Sequence, residues 1–219
     1  MGVFAARRQN MVECQIRTNR VTDEGLIGAF AEMPRECFVA PDQQGVAYID
    51  EDLPLAEGRF MLEPMVLARM IQALELSADD SVLDIAAGTG YSTAIIARLV
   101  ASVVGIESNR NLRNLAEKQL QELEIDNAVM VAGNPPTGYP KEAPYDAIII
   151  QGAAETIPQN LLAQLSPSGR LVAIMRQAGQ PVGRVTLFRA AGDGYASQVL
   201  FDAQSPSLQE FAKPRKFSF

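Results

Sequence analysis

From Ser81 onward, short and nearly continuous apolar runs alternate with longer stretches whose apolar residues recur at helical spacing. The runs Ser81–Ile85, Ala101–Glu107, Ala128–Ala132, Tyr145–Gln151, Arg170–Met175 and Arg184–Ala190 are predicted strands. Between them, Tyr91–Leu99, Arg110–Leu123 and Thr156–Leu165 are predicted helices. A Gly192-Asp193-Gly194 turn leads to a further strand around Gln198–Asp202. Apolar strands separated by helices imply a mostly parallel sheet covered on both faces: an α/β, doubly wound, Rossmann-like architecture. Ligands of such sheets bind beyond the carboxyl ends of the strands.

The first third of the chain has a different pattern. Gln9 to about Phe30 reads as helical, with Met11, Ile16, Val21, Leu26 and Ile27 apolar and Asp23 capping a second helix. Met33-Pro34-Arg35-Glu36-Cys37-Phe38-Val39 breaks the pattern, and Pro41 to Pro64 is irregular and acidic. The Asp50-Glu51-Asp52 run reads as a solvated loop. Pro64 suits the first turn of a helix through Met65, Val66, Leu67, Met70, Ile71 and Leu74, ending near Leu76. The expected organisation is one domain over residues 1–219: an N-terminal helical extension with a loop over 1–76, and the sheet with C-terminal strands over 77–219.

Composition removes several classes of function. A net charge of −7 argues against a surface that tracks phosphates, so nucleic acid is not an expected partner. The opening residues turn polar too soon for a secretory signal and no apolar run reaches membrane-spanning length; a cytoplasmic protein with no membrane partner is expected. The chain has no histidine, which excludes the usual zinc constellations and the histidine-dependent nucleophile triads. Its cysteines, Cys14 and Cys37, read as buried or half-buried apolar residues.

The candidate chemistry lies at Asp84-Ile85-Ala86-Ala87-Gly88-Thr89-Gly90-Tyr91, where an acid ends a strand and a glycine-bearing turn opens a helix. Glycines let backbone approach a ligand without a Cβ clash, and the helix offers free N–H groups at the same place. Glu107 closes the next apolar run, roughly twenty residues on, where a ribose-binding carboxylate belongs in such folds. An acid at Asp84 repels a pyrophosphate and attracts the amino group and sulfonium of S-adenosylmethionine. Methyl transfer therefore ranks above hydride transfer. The competing structural reading is that Gly88 and Gly90 merely shape a tight turn.

With these features placed, the chain resembles the protein-L-isoaspartate O-methyltransferase family from about Arg7 to Val172. Arg8-Gln9-Asn10-Met11-Val12-Glu13-Cys14-Gln15-Ile16 is similar to that family's opening helix, and Met33–Val39 to its V-P-R-x-x-F-V segment. Tyr48–Leu55, Tyr145–Ile150, Ile157–Leu165 and Gly169–Val172 resemble further stretches. The resemblance implies S-adenosylmethionine as cofactor, S-adenosylhomocysteine as product, and a protein or peptide carrying an isoaspartyl-type carboxylate as acceptor.

The chain departs from the family at three places. The substrate loop G-Q-T-I-S-x-P appears as Gly58-Arg59-Phe60-Met61-Leu62-Glu63-Pro64, so the hydroxyl position is Leu62. The family's G-D-G appears as Gly133-Asn134-Pro135, and Ala86 replaces the first glycine of the turn. The expected cofactor-binding residues are Asp84, Ala86, Gly88, Gly90, Glu107 and, near the adenine, Asn134. Arg59 is the candidate catalytic-site donor to a substrate carboxylate, against the alternative of an exposed loop arginine. Phe60, Met61 and Leu62 read either as a lid over the methyl group or as a loop folded onto the core. Gln151-Gly152-Ala153-Ala154 is placed at the ligand end of the sheet, and Asp146 reads as a strand-edge residue rather than a catalytic one. Two readings stand beside isoaspartyl methylation: the same cofactor with another acceptor, a small molecule among them, and a non-catalytic adenosyl-binding homologue.

Overall fold

The computed structural model describes residues 2–192 and 194–213. Two short strands, β1 (Leu53–Pro54) and β2 (Phe60–Met61), pair antiparallel with each other. The rest, β3 (Ser81–Ile85), β4 (Ser102–Ile106), β5 (Ala128–Val131), β6 (Tyr145–Ala154), β7 (Leu165–Met175), β8 (Gly183–Ala191) and β9 (Gly194–Ala203), form a seven-stranded sheet ordered β5-β4-β3-β6-β7-β8-β9. β3 is parallel to both neighbours, with Leu83 opposite Val104 on β4 and Ile148 on β6. The chain thus winds outward from β3 to β5 and then crosses back to β6. That reversal opens the crevice in which ligands of open α/β sheets bind. β8 and β9 close the other edge as antiparallel strands.

The helices are α1 (Val3–Met11), α2 (Glu24–Glu32), α3 (Pro64–Ala73), α4 (Tyr91–Ala97), α5 (Arg110–Glu122) and α6 (Gln159–Leu162). Side chains alternate across each strand, so successive residues enter different apolar layers. Val82, Val103, Ala147 and Ile149 pack with buried residues of α1 to α5. Leu83, Ile85, Ile106, Ile148 and Ile150 face the other way, toward Leu161 and Leu162 of α6 and Phe211 of a one-turn helix at Gln209–Phe211. The alanine-rich and β-branched strands are buried on both sides, as parallel strands require. Among the described residues, no helix is long and apolar enough to cross a membrane.

Local signals explain most boundaries. Asp23 Oδ1 accepts from Leu26 N at the start of α2, and Asn109 Oδ1 accepts from Asn111 N and Leu112 N at the start of α5. Pro64 occupies the first turn of α3. Four expectations are corrected. The first helix begins at Val3 and continues past Met11 through a π turn at Val12–Ile16. The helix expected over Thr156–Leu165 is only α6, because Pro158 delays its start and Leu165 already belongs to β7, opposite Tyr145. The acidic segment is not wholly irregular, since it carries β1 and β2. Cys14 and Cys37 are exposed, because the turns that carry them point their neighbours, Val12, Ile16 and Phe38, into the core instead. Of the Gly192-Asp193-Gly194 turn, Asp193 lies outside the described residues.

Candidate functional site

The backbone after β3 bends through three left-handed positions: Ala86 at φ 59°, Gly88 at φ 58° and Gly90 at φ 87°. Ala86 takes that conformation with a Cβ, at a cost of about 1–2 kcal/mol. A Cβ on Gly90 would lie 2.9 Å from Cβ of Ala116, so glycine there lets α5 close against the turn. Ala87 N donates to Ile106 O at 3.0 Å, tying the turn to the end of β4. One residue further, Glu107 is fully buried, and its Oε2 accepts from Gly88 N at 2.9 Å while Oε1 accepts from Asn109 N at 2.8 Å. The glycine turn and the second acid therefore meet at the carboxyl ends of adjacent strands.

Asp84 is also fully buried, but its oxygens are spoken for. Oδ2 accepts from Ser92 Oγ at 2.7 Å and Thr93 Oγ1 at 2.6 Å, and Oδ1 accepts from Gln151 Nε2 at 2.8 Å. Burial raises its pKa to about 6, although the hydroxyls of Thr93 and Ser92 and the Gln151 amide each favour the ionised form. Asp84 thus anchors the first turn of α4 to β3 and β6. Gln151, expected at the ligand end of the sheet, is where the sequence placed it.

Arg59 is neither an exposed loop residue nor free to meet a substrate carboxylate. It is 4% exposed. Its Nε donates to Glu107 Oε2 at 3.0 Å and Oε1 at 3.3 Å, while Nη2 donates to Glu210 Oε1 at 2.6 Å and Ser108 Oγ at 2.9 Å. Burial opposes its charge, but Glu210 and Glu107 together hold its pKa above the ordinary value. Glu210 is held below its own, burial being outweighed by Arg59. An interior cation between two carboxylates explains why this loop arginine is buried.

The Glu107 carboxylate suits the hydroxyls of an adenosyl ligand, but the space directly over Gly88 is taken. The Gly88 backbone is bare, yet a Cβ there would lie 2.7 Å from Leu55 Cδ1, so the chain's own leucine covers it. Between Leu55, Phe60, Leu62, Ala87, Tyr91 and Gln151 only about 10 Å³ is left. That holds about one water, against the several hundred Å³ of ordinary ligand pockets.

The loop itself is pinned from below. Leu62 is 2% exposed and Met61 is buried, so of the two readings of Phe60-Met61-Leu62, the loop folded onto the core describes these two; Phe60 stays half-exposed. Arg35, fully buried, donates through Nε to Ala47 O at 2.7 Å and through Nη2 to Leu62 O at 2.8 Å, with its guanidinium 4.9 Å from the Tyr91 ring centroid. Sequence reasoning missed its role; a charge inside the apolar Met33–Val39 segment was the available signal. Asp52 Oδ1 accepts from Glu63 N at 2.8 Å, so part of the acidic run has a structural task, while Asp50 and Glu51 are exposed as expected. Burial, then Asp50, Asp52 and Glu51, raise the Glu63 pKa to about 7. Glu63, Asp52, Phe60, Arg176 and Ser205 line an open pocket of about 360 Å³ beside the loop. Asn134 is exposed, its amide donating to Thr137 Oγ1 at 3.3 Å. Asp146 accepts from Ser81 N and Ser166 Oγ, both at 3.0 Å, a strand-edge role.

The profile of the protein-L-isoaspartate(D-aspartate) O-methyltransferases matches residues 6–199. The chain belongs to that family. A protein-L-isoaspartate O-methyltransferase of Methanoculleus marisnigri is 40% identical over 166 residues, 76% of each chain. That of Roseiflexus castenholzii is 35% identical over 201 residues, 92% of this chain and 91% of the relative. Among solved structures, a protein-L-isoaspartate O-methyltransferase superposes with a TM-score of 0.82 at 23% identity, covering 94% of this chain and 67% of the other. A Plasmodium falciparum protein described as a member of the same family, solved in complex with S-adenosyl-L-homocysteine, gives 0.78 at 19% identity, covering 96% and 100%. These two likenesses establish the methyltransferase fold, mostly parallel with flanking helices.

Proposed function

We propose that this chain is an S-adenosylmethionine-dependent O-methyltransferase that esterifies an isoaspartyl-type carboxylate of a damaged protein or peptide. The observation that carries the reading is the contact between Glu107 and the bare Gly88 backbone at the ends of two adjacent parallel strands. In this reading Glu107 takes the ribose hydroxyls, Gly88 and Gly90 allow close backbone approach, and Ala86 keeps the bend that the missing glycine would have made. Asp84 holds the start of α4 in place, and Asn134 is assigned to the adenine end. The bound cofactor supplies an electrophilic methyl on a sulfonium. An aspartyl-type carboxylate, with an ordinary pKa of about 3.9, is already ionised at neutral pH, so no general base is required and the absence of histidine is no obstacle. The chain's task is to strip water from the acceptor and align it.

The acceptor peptide is assigned to the open pocket beside Phe60, where Arg176 shares the lining with Glu51, Asp52 and Glu63. The partner assigned is a protein or peptide rather than nucleic acid or membrane, in keeping with the net charge of −7, and the location assigned is cytoplasmic. A second reading, the same cofactor with a different acceptor, is favoured by Leu62, which has no hydroxyl and whose backbone carbonyl is held by Arg35. Incubation with methyl-labelled S-adenosylmethionine and an isoaspartyl peptide separates the readings. A base-labile methyl ester is expected; cofactor binding without transfer to that peptide would move the assignment to another acceptor.

A further inference from the structure

We propose that the Leu55–Arg59 turn is an internal occupant of the nucleoside site, with Arg59 taking the place of a ribose diol on Glu107, so that cofactor enters only by breaking the Arg59 pair. The inference rests on the cofactor reading above. A ribose diol presents two adjacent O–H donors to a carboxylate, and a guanidinium presents N–H donors to the same oxygens. Glu107 has its acceptor sites filled by Arg59 Nε, Gly88 N, Asn109 N and Ser108 Oγ. A ligand that needs this carboxylate must displace one of them, and Arg59 is the one that does not come from the sheet or the turn next to it.

Leu55 takes the space over the turn. Its Cδ1 covers Gly88, where close backbone approach to the ligand belongs. Both side chains sit on one hydrogen-bonded turn. β1 and β2 flank a tight turn in which Leu55 N donates to Arg59 O at 2.9 Å and Arg59 N donates to Ala56 O at 2.8 Å. Its tip, Ala56-Glu57-Gly58, is exposed, with Glu57 and Gly58 in left-handed conformations. Leu55 on Gly88, and Arg59 between Glu107, Ser108 and Glu210, hold it down. The second reaches the one-turn helix near the end of the described chain, 151 residues away in sequence. Glu210 is the weaker anchor, with 27% of its side chain exposed, whereas Glu107 is fully buried. Release starts at the Glu210 end.

Calorimetric titration of the full chain with S-adenosylhomocysteine tests this, comparing wild type with Arg59→Gln, Glu210→Gln and Leu55→Ala. Arg59→Gln leaves Glu107 without its cation, so circular dichroism checks its fold; the other two leave that pair in place and serve if it does not fold. The expected result is at least tenfold tighter binding in Arg59→Gln and a several-fold gain in Glu210→Gln and in Leu55→Ala, with matching increases in the ligand-induced shift of Tm. Equal, measurable affinity in wild type and all folded variants would overturn the latch and leave the cofactor reading standing. No binding by any folded variant would overturn both.

Discussion

Asp84→Asn should stabilise the protein at neutral pH, because the native fold raises the pKa of this acid. An ordinary aspartyl group in the unfolded chain titrates near 3.8, and burial raises Asp84 to about 6 in the fold. Below pH 3.8 the group is protonated in both states and makes no difference to stability between them. As pH rises through the window from 3.8 to 6, the unfolded chain loses its proton first, and the native state is progressively penalised. The difference of roughly 2 units, at about 1.4 kcal/mol each, amounts to about 3 kcal/mol at pH 7. Asparagine keeps the shape and an oxygen for Ser92, Thr93 or Gln151 but carries no charge to bury. Urea unfolding of both proteins at intervals from pH 4 to pH 8 measures the effect. The stability of Asp84→Asn minus that of wild type should climb by about 2.5 kcal/mol across that range, most of it below pH 6.5. A flat difference would refute the reasoning, since it would mean that the two hydroxyls and the amide compensate the buried charge in full.

Gly88→Ala should cost about 1–2 kcal/mol, from left-handed backbone and a Cβ placed 2.7 Å from Leu55 Cδ1, and Leu55→Ala in the same chain should return the steric part; additive losses in a double-mutant cycle would contradict the contact. Arg35→Met strips the donors from the buried Ala47 and Leu62 carbonyls, so it should lower stability by about 2–4 kcal/mol and speed proteolysis within 47–62; cleavage at the wild-type rate would count against its role as the loop's clamp. Glu63→Gln should match wild type near pH 4, where the acid is protonated folded or unfolded, and exceed it above pH 7, where the wild type has lost the contribution of a native pKa near 7; thermal melts at the two pH values check the sign.

What the sequence made legible is what local patterns encode. β3 to β5 announced themselves as nearly continuous apolar runs bounded by turn residues; that Val82 and Leu83 enter opposite layers shows only in the fold. The Gly88-Thr89-Gly90 turn and the acid ending the next run could be paired from their spacing, and the fold brings the two together through Gly88 N and Glu107 Oε2. The fate of Arg59 was not legible. Its partners are Glu107, 48 residues on, and Glu210, 151 residues on, and no spacing rule links such positions. Asp84 was read as a ligand for positive charge, but Ser92, Thr93 and Gln151 come together around it only once α4 and β6 are packed. The cysteines failed for a simpler reason: their apolar neighbours Val12, Ile16 and Phe38 won the inward positions.

A crystal structure of the protein grown with S-adenosylhomocysteine is the most direct test of the central claim that Glu107 and the Gly88 turn form a nucleoside cradle now filled by the protein's own loop. It should show the ribose hydroxyls on Glu107, with Arg59 withdrawn from that carboxylate and Leu55 lifted off Gly88. Ligand seated elsewhere, or bound with the Arg59–Glu107 pair intact, would contradict the account.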